Sequence, residues 1–395
     1  MRTFSVHERR ARLGLRHGLI DGFSSVDEAV RAVVVLHATD PASVFLSAMA
    51  RLAEPSIEIV GRALYGERSV VRVLAMRRTL FVCPVSFLEV VERSSSDDVA
   101  ARERPRLEKA MVDSGFDDPA GWMATAADEI VGVLAGRGVG ARTLTAEVPM
   151  LATKIRLGAG TKWETEVGAT SRMLGQLAME GILIRGRPSG DWTGRQYAWH
   201  LRSDWLGQSS SGSEGEGRDS MTKEEASVEL VRCWLARFGP GTFDDLKWWT
   251  GWRVSQLRPA LAELDVVEVD LDGEVGLVLA DDLDPTTPVE PWAALLPSLD
   301  PTPMGWKDRR WYLGPHQPEL FDRNGNIGPT VWVDGRIVGG WAQRPDGEVV
   351  TKLLEDVDAD RAALIGAKVE RLQHLLADTV VKPSFRTPLL RTLSE

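Results

Sequence analysis

The chain has 395 residues, 43% of them hydrophobic and 26% charged, and a formal net charge of -10. That is the composition of a globular protein with room for two to four domains. No stretch approaches the roughly 18–20 apolar residues of a membrane span. The opening "MRTFSVHERRARLG" lacks the apolar core of a secretory signal, and two cysteines, Cys83 and Cys233, are too few for a disulfide framework or a cysteine-based zinc site. A cytoplasmic protein without membrane contact is expected. The charge is uneven. Residues 1–207 carry 27 Lys and Arg against 25 Asp and Glu; residues 208–395 carry 20 against 32. A basic face therefore belongs in the first half.

In chain order, Val6 to His17 reads as a basic amphipathic helix. Ser25 can cap a helix from Val26 to about Leu36, with Asp27 and Glu28 in its first turn. The stretch "VLHATDPASVFL" follows. It sets His37, Thr39 and Asp40 between two segments that read as buried helices, with Asp40 a natural cap and Pro41 at the first helical position. "SVVRVL" and "TLFVCPV" alternate like a strand pair, and a helical region runs from about Val85 to Ser114. A break is expected near Ala135 to Thr145.

Residues 143–205 read as helical stretches leading to a helix within Val167 to Leu183, ended by Gly181, and then a hairpin across "ILIRGRPSGDWTGRQYAWHL". Helix, turn, second helix and hairpin is the layout of a winged helix, with the second helix as groove reader and the hairpin as wing. "GQSSSGSEGEGRDS", Gly207 to Ser220, has the composition of a flexible linker. The layout then repeats. A helix ends at Gly239, and Thr242 caps a short second one. A third contains Pro259, which is expected to disturb it, and a hairpin turns at Asp272-Gly273. The end of the chain reads as a small antiparallel sheet with turns at Asp334-Gly335 and Asp346-Gly347, closed by a helix from about Asp358 to Ala377. The fold class is α+β: tandem winged-helix domains plus a C-terminal antiparallel β-domain. The boundaries are 1–140, 141–207, the linker 208–220, 221–285 and 286–395.

Two sets of residues carry candidate chemistry. Arg172 lies on the proposed reader helix, and Arg185, Arg187 and Arg195 lie on or near the wing, with Trp192 at its tip. Arginine and tryptophan on a hairpin suit phosphate contact and wedging into a base stack; the competing reading is a solvated hairpin with Trp199 in the core. Lys307, Arg309 and Arg310 stand between aromatics in "PTPMGWKDRRWYL" and read either as a second backbone contact or as a salt-bridged surface loop. Most other tryptophans read as core. His37, Thr39 and Asp40 form the second set. On spacing alone they read as helix-terminal residues, Asp40 above all as a cap. No Ser-His-Asp order, phosphate-binding glycine loop or HExxH motif is present, and no metal or cofactor is implied.

Four motifs, "VLHATDPASVFL", "FDDLKWWTG", "LLPSLDPTPMGWKDRRWYL" and "GNIGPTVWVDGRIVGGWAQRPDGEV", occur in order along nearly the whole chain. Together they resemble the bacterial winged-helix DNA glycosylases of the AlkZ/YcaQ type. The resemblance implies a C-shaped clamp around duplex DNA and a monomer. It also implies excision of alkylated purines, often bulky N7-alkylguanine adducts of genotoxic natural products, in base excision repair and antibiotic self-resistance. The family's catalytic motif, Gln-apolar-Gln or Gln-apolar-Asp, falls on His37-Ala38-Thr39 with Asp40 beside it. The first Gln is replaced by His37 and the second polar residue by Thr39, so the resemblance makes Asp40 the carboxylate of the site. Two other functions compete with it: a winged-helix DNA-binding protein without catalysis, acting as regulator or lesion shield, and a protein that sequesters the genotoxin itself.

Overall fold

The computed structural model describes residues 1–207 and 221–395. The linker expected at 208–220 lies outside the described residues. The chain divides into two compact units that interleave in sequence. The first holds residues 1–70, 81–84 and 227–395; the second holds 71–80 and 85–226. These units do not divide at residue 140, because residues 1–70 pack with the distant C-terminal half. Charge explains part of it. Helix α1 (Val6–Arg16), started by the Ser5 hydroxyl on the Glu8 amide, sends Arg12 and Arg16 to Asp282 at 3.0 and 2.5 Å. A basic helix is thus neutralised by the acid-rich half.

Helix α2 (Val26–Arg31) opens with the capping box Ser25–Glu28. It was expected to reach Leu36 but stops at Arg31. Val33, Val34 and Val35 are stiff at χ1, and Val34 turns the chain at φ 64°, a costly conformation for a β-branched residue. The run then enters strand β1 (Leu36–His37), which pairs antiparallel with Val82 and Phe81. Helix α3 (Pro41–Met49) is buried at every position, Ser43 and Ser47 included, as a helix without a charged face must be, and packs on α4 (Ile57–Tyr65). Strands β2 (Val70–Ala75) and β3 (Thr79–Pro84) form where alternation predicts them.

Short helix α5 (Leu88–Val91) and the long α6 (Asp97–Val112) follow. Asp118 caps α7 (Pro119–Leu134), with Pro119 at the first position. Next come β4 (Val139–Gly140), α8 (Ala141–Glu147), β5 (Lys154–Leu157), β6 (Thr165–Gly168), α9 (Ala169–Met179), β7 (Leu183–Pro188), β8 (Tyr197–Leu201) and α10 (Arg202–Leu206). Strands β4, β8 and β7 make one antiparallel sheet. Its inner face joins a core of Met111, Met123, Ile130, Leu144, Ile155, Met173, Leu177 and Trp199. The hairpin β5–β6 replaces the helical stretch expected before α9. Ile155, Leu157 and Val167 alternate inward on it, the period of a strand and not of a helix.

The first unit resumes within α11 (Lys223–Phe238) and continues with α12 (Phe243–Thr250), α13 (Val254–Ala262) and the hairpin β9–β10 (Val266–Leu271, Glu274–Leu279). Thr242 and Asp245 form a capping box on α12. Pro259 sits inside α13, whose Leu257 and Ala260 are buried and hold the helix against the lost hydrogen bond. Asp272 and Gly273 both take positive φ, as a two-residue hairpin turn requires.

Strand β11 (Ala293–Leu296) leads through α14 (Arg310–Leu313) and α15 (Gln317–Leu320) to β12 (Thr330–Val333), β13 (Arg336–Gln343) and β14 (Val349–Leu353). These strands pair in chain order as an antiparallel sheet. Helix α16 (Ala359–Leu376) packs on β11 and α17 (Pro388–Leu393) on β13. Trp234, Trp249, Trp252, Trp292, Trp306, Trp311, Trp332 and Trp341 are all buried here. So is the ion pair Arg51–Asp300, at 2.6 Å, with Thr302 Oγ1 accepting from Arg51 and meeting His17 Nδ1. Burial and the nearby Arg51 charge hold the His17 imidazole well below its usual range. Among the described residues no helix is long and apolar enough to cross a membrane.

Candidate active site and nucleic-acid interface

His37 ends β1 and Asp40 precedes α3, so the turn between them brings the cluster together. His37 is half-buried, edge-on to the Phe81 ring at 5.6 Å. The Thr39 amide donates to His37 Nδ1 at 3.4 Å. A neutral ring in that arrangement carries its proton on Nε2. The expectation of His37 at a helix end is corrected, since it sits in a strand. Thr39 is exposed.

Asp40 occupies the cap position but makes no cap to the helix backbone. It is 3% exposed. Its carboxylate accepts from Ser384 Oγ at 2.9 Å, from the Ser384 amide at 3.3 Å and from Ser43 Oγ at 3.4 Å. The carboxylate also faces the positive end of α3. A small pocket of about 10 Å³ adjoins it, walled by Ser43, Ser298, Trp341, Gln343 and Pro383. The Ser298 hydroxyl is buried there without a hydrogen-bond partner, which marks a polar spot able to take a water or a ligand group. Ser384 and Ser298 escaped the sequence reading. Ser384 lies in no motif, and Ser298 lies in "LLPSLDPTPMGWKDRRWYL" without a local signal that marks it; only the fold brings residues so distant in the chain to Asp40.

The expected DNA contacts behave differently from one another. Arg172 is half-buried on α9, near Arg78 and Glu103, and burial lowers its pKa. Arg185 lies over the rings of Trp199 and Tyr197, 4.9 and 5.8 Å from their centroids. Burial and the neighbouring Arg72 depress its pKa, against the raising effect of Tyr197. Arg187 and Arg195 are exposed, and Trp192 is half-buried. In the first unit, Lys307 pairs with Asp244 at 2.6 Å, and Arg310 pairs with Asp308 at 2.9 Å and Glu274 at 3.2 Å. Arg309 lies over Trp248 and Phe321 at 4.7 and 5.1 Å. The loop thus takes the salt-bridged form of the two readings. Among the described residues, no three His, Cys, Asp or Glu side chains gather in a way that would hold a metal ion.

A protein-family model described as DNA glycosylase AlkZ-like matches residues 30–375. No curated protein matches by sequence. Among solved structures, the Streptomyces sahachiroi DNA glycosylase AlkZ matches with a TM-score of 0.69 and 20% identity, over 97% of this chain and 99% of that one. At that identity the structural likeness speaks for the fold.

Proposed function

The chain belongs to the AlkZ-like DNA glycosylase family, and from that premise we propose that it hydrolyses the N-glycosidic bond of alkylated purines in duplex DNA at the His37–Thr39–Asp40 turn. The observation that carries this reading is a buried carboxylate at a helix N-terminus, three residues from a half-buried imidazole and one from an exposed hydroxyl.

Alkylation at N7 leaves guanine positively charged and already a good leaving group. Bond cleavage then places positive charge on the sugar. Asp40 supplies a fixed anion to that charge, held in place by Ser384 and Ser43 rather than reorganised during the reaction. The His37 imidazole and the Thr39 hydroxyl orient the attacking water or the sugar. Because Asp40 lies beneath the Pro383–Ser384 stretch, direct activation of water by its carboxylate requires that stretch to shift.

The proposal extends to bulky N7-alkylguanine adducts of a genotoxic natural product and to self-protection by a monomeric enzyme. It also reads residues 141–207 and 221–285 as winged-helix units that contact DNA. The order of helix, helix, helix and hairpin from α11 to β10 supports this for the second, and in the first α8 and α9, with the hairpin β5–β6 between them, precede the hairpin β7–β8.

A duplex carrying 7-methylguanine, and one carrying a bulky intercalating adduct, tests the reading through alkali-labile breaks. Asp40→Asn should abolish breaks while keeping DNA affinity. Full activity in that variant would reduce Asp40 to a structural residue. Breaks with neither duplex, while binding stays tight, would favour a non-catalytic DNA-binding protein. Ser384→Ala removes the hydroxyl donor to Asp40, keeping the amide, and should lower turnover about tenfold with KM unchanged.

A further inference from the structure

Of all the tryptophans in the described residues, Trp163 is the one left exposed, at 75%. It sits at the tip of hairpin β5–β6. A flexible, unanchored tip would make this unremarkable, but this hairpin is rooted. Ile155 is fully buried in the core of the second unit, and Leu157 and Val167 pack against it. The tip is ordered by its own hydrogen bonds. The Thr161 amide donates to the Gly158 carbonyl at 2.9 Å, the Glu164 amide to the Thr161 carbonyl at 3.1 Å, and the Gly160 amide to the Glu164 carboxylate at 2.8 Å. Gly158 and Gly160 supply the positive φ this path needs. A single exposed apolar side chain is ordinary by itself; an exposed indole on a hairpin anchored in the core is read from what stands around it.

Lys154, Arg156 and Lys162 are exposed on the same hairpin, and the Lys162 ammonium lies 5.5 Å from the Trp163 ring. Glu164 accepts from the Gly160 amide and lies 3.9 Å from Arg156, and Glu166 stands opposite Arg156, so among the described residues Lys154 and Lys162 are the cations of this hairpin without an acidic partner on it. The hairpin runs directly into the N-terminus of α9, the helix the sequence nominates as groove reader. That helix has little left to read with. Met173, Leu174 and Leu177 are in the core. Gln176 donates to the Ala100 carbonyl on α6, Glu180 pairs with Arg104 at 2.7 Å, and Ser171 is its one exposed residue. With α9 covered by α6, the exposed aromatic beside it is the feature positioned to meet bases.

We infer that the 154–168 hairpin is a DNA-contacting element in which Trp163 stacks on or between bases while Lys154, Arg156 and Lys162 engage the phosphates. This rests on duplex DNA being the substrate. Sequence-independent stacking by an aromatic residue and phosphate neutralisation by its basic neighbours are the two parts of such a contact. Here they occur together on one rigid support.

The test is binding of a fluorescein-labelled duplex, with and without 7-methylguanine, across a series of salt concentrations, with abasic-site formation followed in parallel. Trp163→Ala should weaken binding about tenfold and leave the salt dependence unchanged. Trp163→Phe should recover most of the loss. Lys154→Gln and Lys162→Gln should each flatten the slope of log affinity against log salt by about one. If Trp163→Ala binds within twofold of the wild type while the wild type binds and cuts DNA, the inference falls and the glycosylase reading stands. If the wild type does not bind duplex DNA, both fall. If sedimentation without DNA shows a dimer that Trp163→Ala dissociates, the indole is a contact between copies and the inference is wrong.

Discussion

The two hairpins of the second unit, β5–β6 and β7–β8, both carry tryptophan among basic residues, and they dispose of it in opposite ways. In β7–β8 the strands are joined by β4 into a three-stranded sheet with one face on the core. Trp199 pairs across to Val139 and Arg185 and is 7% exposed. Arg185 closes over it. Among the described residues, β5–β6 has no third strand. The core takes the base of the hairpin, and the seven residues from Gly158 to Glu164 extend past it with Trp163 among them. A residue's place along a hairpin relative to the core decides whether an aromatic serves stability or contact; residue type alone does not.

Truncation tests the contrast most strongly. Trp199→Ala should cost about 3–5 kcal/mol, the usual loss for a large buried aromatic, seen as a lower denaturation midpoint. Trp163→Ala should move that midpoint by no more than about 0.5 kcal/mol, as surface substitutions do. Equal losses in the two variants would erase the distinction. Between them stands Ile155→Ala at the root of the second hairpin. It should destabilise by about 2–4 kcal/mol and, by loosening the support of the tip, lower DNA affinity beyond the effect on stability. An Ile155→Ala protein that is destabilised yet binds DNA like the wild type would show that rigidity of the hairpin is irrelevant to contact.

The same contrast explains what the sequence could disclose. Elements with strong local signals stood where they were read. The Ser25 and Thr242 caps formed, the Asp272-Gly273 turn closed its hairpin, and the final helix took Ala359–Leu376. Misreadings arose where two periods compete over few residues. The valines before His37 are as apolar as a helix end, and only their β-branching hinted at the turn and strand. Ile155, Leu157 and Val167 alternate around "GAG" in the manner of a hairpin, a signal that was present but weaker than the helices on either side. Long-range partners were not legible at all. Ser384 against Asp40, and Arg51 against Asp300, join segments whose separation no local pattern records. The candidate turn itself could be located because its motif is contiguous. What surrounds Asp40 could not.

The smallest effects separate the arginines of the wing from one another. Arg187 and Arg195 are exposed on β7–β8, whereas Arg185 on the same hairpin is folded onto Trp199 and Tyr197. If the wing meets phosphates, Arg187→Ala and Arg195→Ala should each reduce the salt slope of duplex binding by about one, with the denaturation midpoint unchanged. Arg185→Gln should do the reverse. It loses a partly desolvated cation–π contact of about 1–2 kcal/mol, so the midpoint falls while the slope holds. Burial makes the difference, because a guanidinium held on two rings does not reach a phosphate and so displaces none of the cations condensed on the DNA. An Arg185→Gln protein with a flattened slope would mean that this side chain leaves the rings to reach DNA, and that the wing, like the hairpin beside it, presents its cations outward.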